Sequence, residues 1–142
     1  MKKYDDLELV ILSCLLQKPE LMEETILEDK HFVRTQRIWK FMKAFYKKFK
    51  NFDFSLMTSV ASNKHKIMEY IIVLMDIEPN PNLLKVYEKQ LIDLWREKEK
   101  DKWLIDKIFA LSNDLFVRSI SVDYFRDKLE ELYNQADEIF EK

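Results

Sequence analysis

Apolar residues near the start of the chain recur at helical spacing. Leu7, Val10, Ile11, Cys14 and Leu15 occupy the i, i+3, i+4, i+7 and i+8 positions of one helix face, and Leu9, Leu12 and Leu16 form a second stripe. A helix apolar on two sides is normally buried between others, so the segment from Asp5 or Asp6 to Gln17 is expected at the centre of a bundle. Pro19 is suited to the first turn of a second helix, with Leu21, Met22, Thr25 and Ile26 following at helical spacing. From Thr35 to Phe49, the residues Ile38, Phe41, Met42, Phe45 and Phe49 share a face that should be core, with Lys40, Lys43, Lys47 and Lys50 elsewhere. Ser55 is the expected cap of a short helix through about Ser62, and Lys64 to Met75 predicts another. Both prolines of Pro79-Asn80-Pro81 disfavour helix at the residue before them, which makes this segment the predicted internal boundary.

Beyond that break the pattern predicts one long helix from Leu83 to Leu115, on the order of 50 Å at 1.5 Å per residue. Its heptad-like seam reads Leu84, Tyr87, Leu91 and Leu94, then Ile105, Ile108, Ser112 and Leu115. The unbroken charged run from Arg96 to Lys102 interrupts it. A turn over Val117-Arg118-Ser119-Ile120 leads to a last helix capped by Ser121, with Asp123 in its first turn. That helix carries an uninterrupted seam of Val122, Phe125, Leu129, Leu132, Ala136 and Ile139. The two elements read as an antiparallel helical hairpin.

The predicted fold class is therefore all-α, a helical bundle head over residues 1–78 and a long hairpin over 83–142, joined as one continuous structural unit. The final helix covers only roughly 29 Å of its longer partner. Ala136 and Ile139 are then expected to face Lys98 and Asp101, a poor match that predicts self-association through the hairpin, as a homodimer or higher oligomer. Trp95 and Trp103 flank the charged run, and with Leu129, Leu132, Ala136 and Ile139 they make up the candidate protein interface.

Composition narrows the function. A chain of 142 residues, 47% hydrophobic and 35% charged, suits one domain with a real core. It contains no glycine. That removes the residue best able to adopt positive φ, and with it the phosphate-binding loop G-x-x-x-x-G-K-[ST] and the glycine-flanked nucleophile elbow. A net charge of −2 argues against a protein that coats nucleic acid. The single cysteine, Cys14, has no disulfide partner and fits a reducing, cytoplasmic setting. Acidic residues interrupt the apolar run that follows Met1, which argues against a secretory signal, and no stretch has the ~20 apolar residues of a membrane span.

Candidate chemistry is sparse. His31 and His65 are the only histidines and lack neighbours at metal-ligand spacing, so no metal and no cofactor are expected. Glu23-Glu24 and Glu130-Glu131 point to different parts of a helix surface and read as solvated faces. No catalytic residue is assigned, and the chain is not expected to be an enzyme. Lys40, Lys43 and Lys47 form the candidate DNA contact, with a solvated face as the simpler reading.

Several of these residues together resemble a known family. The stretch Glu8-Leu-Val-Ile-Leu-Ser-Cys-Leu-Leu-Gln-Lys-Pro-Glu20, then His31-Phe32, then Ile38-Trp39 with Phe41, Phe45 and Tyr46 ahead of Phe52-Asp53, resembles the N-terminal domain of bacterial replicative DNA helicases of the DnaB type. The Pro79-Asn-Pro-Asn82 break with Tyr87 beyond it, and the ending Glu130 to Phe140, fit the same pattern. The helicase-binding domain of bacterial primase is built similarly and is a rival source of it. The resemblance implies a helical head plus a hairpin, hairpins that pair, a collar that contacts primase and loader proteins, and no nucleotide hydrolysis. The sequence departs from the family in stopping where the ATPase domain should begin, and in placing a charged run within a helix that is usually less charged. The expectation is a free-standing, non-enzymatic replication accessory of a phage or other mobile element. Its partners would be the replicative helicase, its loader or primase, with no membrane involved. The alternatives are a DNA-binding accessory that uses the lysine-rich helix, and an inhibitor of a host replication protein.

Overall fold

The structure, a computed structural model, describes residues 6–61, 65–117 and 120–140. The described residues are helical, with no strand: α1 (Leu7–Gln17), α2 (Gln36–Phe49), α3 (Phe54–Ala61), α4 (His65–Asp76), α5 (Leu84–Phe116) and α6 (Val122–Phe140), with single 3-10 turns between some of them. The expected ends at Ser62 and Lys64, and Arg118 and Ser119 of the expected turn, lie outside these residues, as does the His65 side chain. The chain forms two compact units, Met1–Ile92 and Asp93–Lys142, so the division falls inside α5.

In the first unit α1 is the central helix that its two apolar stripes predict. The Asp6 side chain caps it by accepting from the Glu8 N–H at 2.9 Å, and Ile11, Leu12, Cys14 and Leu15 are all fully buried. Around it lie Phe32, Trp39, Met42, Met57, Ile71 and Leu74, each shielded from water. Burying an aliphatic or aromatic side chain of this size stabilises by about 1.5–3 kcal/mol before conformational entropy is counted. Desolvation raises the Cys14 thiol to about 11, so it stays protonated and behaves as a small apolar group.

The last carbonyls of a helix have no partner within it, and α1 supplies the partners for α4. Ser13 Oγ donates to the Leu74 carbonyl at 2.9 Å, and Gln17 Nε2 to the Ile77 carbonyl at 3.3 Å. The chain then meets Pro79 and cannot continue as helix. Leu84, Glu88 and Leu91, on the first turns of α5, are buried within this unit.

Two local expectations change. The segment after Pro19 is not an α-helix but one 3-10 turn, Pro19–Glu23. Beyond it the chain is drawn to buried Glu88: Thr25 Oγ1 and the Ile26 N–H both donate to Glu88 Oε2. The Thr25 N–H still bonds the Leu21 carbonyl at 3.0 Å, but the Ile26 N–H has left the helical ladder; Ile26 is exposed, while Leu27 is buried. The cap of α3 is Asp53 rather than Ser55, because Asp53 Oδ1 accepts from the Leu56 N–H at 2.8 Å. With no glycine to end α2, Lys50 adopts the left-handed conformation at φ 60° and donates its N–H to the Tyr46 carbonyl at 2.7 Å.

Candidate protein-interaction surfaces

The polar residues of the head motif build structure. Glu8 is only 7% exposed, and its Oε1 accepts from the Arg34 N–H, the Thr35 N–H and Thr35 Oγ1 at 3.1, 3.1 and 2.8 Å. It thereby caps α2 from another helix. His31 is buried, and its Nδ1 accepts from the Glu28 N–H at 2.9 Å while the Glu28 side chain caps the turn in return. Phe32 stacks on Trp39 with centroids 4.5 Å apart, and Trp39 Nε1 donates to Asp29 Oδ1 at 2.7 Å. The same carboxylate pairs with Lys43 Nζ at 2.7 Å; these two bonds, Lys43 first, hold Asp29 below the ordinary carboxylate range. Among the described residues no group of three His, Cys, Asp or Glu side chains is placed to hold a metal ion, and no helix is long and apolar enough to cross a membrane.

The three candidate DNA-contacting lysines have different surroundings. Lys43 is committed to Asp29 and lies 5.8 Å from the Trp39 ring centroid. Lys40 lines a groove beside α2, and Lys47 is exposed. The groove comprises two adjoining cavities, of about 460 and 400 Å³, that share Arg37 and Ile67. Sequence reasoning passed over Arg37 and Lys66, because a cation on a helix surface carries no signal of its own until α2 and α4 are seen side by side.

In the second unit, α6 returns along the later turns of α5. Lys100 Nζ lies 2.6 Å from Asp137 Oδ1, and the Trp103 and Phe140 rings meet edge to face at 6.2 Å. The residue opposite α6 is thus Lys100, while Lys98 and Asp101 are exposed. Ala136 is fully buried, Leu129, Leu132, Trp95 and Trp103 are half-buried, and Ile139 is 55% exposed.

The seam of α5 also differs from expectation. Leu104 is buried and Ile108, Leu111 and Leu115 are half-buried, whereas Ile105 and Ser112 are exposed. Two heptad sets overlap here, and the one that turns inward is the one with no polar member. The set left outside contains Ile105, Phe109 and Phe116, which are 57%, 74% and 85% exposed. These are the interface candidates that sequence reasoning missed.

Residues 2–93 match the family model described as the DnaB-like helicase N terminal domain. Neither the comparison with curated proteins nor that with solved structures returns a match.

Proposed function

We infer the function from a premise that the match establishes: the chain belongs to the DnaB-like helicase N-terminal domain family, a replication-related family, and within helicases this domain is the non-catalytic part. On that basis the protein is a non-enzymatic replication accessory. It binds a replicative helicase, its loader or primase, and it self-associates through the hairpin.

The observation that carries self-association is the outer stripe of α5. Isolated apolar residues on a surface are ordinary, but aligned ones on a single helix face make a seam that water covers poorly. Ile105, Phe109 and Phe116 fall on such a face, and Ile139 of α6 is also exposed. A second copy presenting the same stripe would cover it in the isologous manner of a twofold dimer. Trp103, which meets Phe140, and Leu129 and Leu132 are half-buried within the hairpin and stand outside this stripe.

The partner assignment is tested by biolayer interferometry with immobilised helicase, loader and primase from the cognate replication system. At least one should bind with a Kd of about micromolar or tighter. If none binds above a charge-matched helical control, the assignment fails.

A further inference from the structure

The groove on the head unit has a chemistry of its own. Arg34, Arg37, Lys40 and Lys66 line it, and among the described residues no carboxylate does. This is a concentrated positive site on a chain whose net charge is −2. Arg34 is drawn to Asp6 at 2.7 Å, but among the described residues neither Arg37 nor Lys66 is held in an ion pair.

The floor is largely apolar, with Thr35 and Gln36 also lining it. Ile38 and Ile67 are buried beneath the cations, and Val60 and Tyr70 stand at the edges, about half exposed. Guanidinium groups hold carboxylates in paired hydrogen bonds, and the aliphatic floor accepts side chains that supply no charge. Arg and Tyr are also the residue types most enriched where partners anchor.

A nucleic acid fits these features less well than a peptide. The polar side chains in the groove's lining, Thr35 and Gln36, are already bonded to Glu8 and to the Asp29 carbonyl rather than free for base edges, and the chain's net negative charge opposes a long polyanion more than a short acidic segment. We propose that the groove between α2 and α4 docks an acidic amphipathic segment of a partner protein. Arg37 and Lys66 take its carboxylates, and the exposed Val60 and Tyr70 take its apolar side chains. This site is built from residues of the first unit alone and does not depend on the family reading.

The test uses a fluorescein-labelled peptide alternating Glu or Asp with Leu or Phe, titrated with the full chain and followed by anisotropy. The expected Kd is on the order of 10 µM. Poly-glutamate of equal length and an oligothymidylate should bind more weakly. Arg37, Lys66 and Tyr70 are exposed, so R37E/K66E and Y70A should keep the wild-type melting temperature. The charge reversal should weaken the peptide by roughly tenfold, and Y70A by a smaller factor. The milder R37Q/K66Q pair serves if the reversal disturbs folding.

The proposal is overturned if the amphipathic peptide does not bind, if poly-glutamate binds equally well, if the oligothymidylate binds more tightly, or if charge reversal changes nothing. It is also overturned if R37E/K66E abolishes self-association, because the occupant is then a second copy of this chain. Failure of hairpin pairing alone leaves peptide binding intact, which separates the two readings.

Discussion

Buried polar side chains act here mainly by closing the ends of helices. Glu8 serves three donors with one oxygen at the start of α2, so truncating it strands two backbone N–H groups and a hydroxyl. An unsatisfied buried donor costs about 1–3 kcal/mol, so Glu8→Ala should destabilise by about 3 kcal/mol and Glu8→Gln, which keeps an acceptor, by clearly less, as read from urea unfolding. Equal losses from the two would contradict the capping role. Asp29 makes a prediction about pH. Its folded pKa lies below that of an ordinary aspartate, so its contribution is fully present above the ordinary value and is lost as pH falls through the lower folded one. Wild-type stability should therefore decline on acidification below about pH 4 more steeply than that of Asp29→Asn, a difference that unfolding curves between pH 5 and 2 measure directly.

At the scale of elements, the registers of α5 can be told apart by mutation. Leu104→Ala removes a buried side chain and should cost about 2–4 kcal/mol, whereas Ile105→Ala should cost under about 1 kcal/mol at protein concentrations too low for association. The reverse order would restore the seam through Ile105 and Ser112. Helix bounds were legible in the sequence: α1, α2 and α6 begin and end within a residue or two of where periodicity and caps place them. What escaped it was decided by partners distant in sequence. The Thr25 hydroxyl and the Ile26 N–H turn to Glu88, and Leu104 rather than Ile105 joins Ile108, Leu111 and Leu115 on the inward face. Spacing alone weighs both α5 stripes alike. The groove was invisible for a similar reason, since Arg37 and Lys66 belong to separate helices and acquire meaning only where Ile67 gives them a common floor.

For the whole molecule, the family match covers residues 2–93, nearly the same span as the first compact unit, and the hairpin unit lies beyond it. The head motif is accounted for by capping and packing, through Glu8, His31, Phe32 and Trp39. The outer stripe of α5 has no such account within one chain. The central claim is that a second copy covers that stripe. Sedimentation velocity from about 1 to 100 µM tests it most directly, a range that spans the affinities of ordinary reversible dimers. The wild-type chain should sediment as a dimer or larger species at the upper end, and Phe109→Glu, with unchanged helical circular dichroism, should remain monomeric. A wild-type monomer throughout, or a Phe109→Glu variant that associates equally well, would contradict the claim.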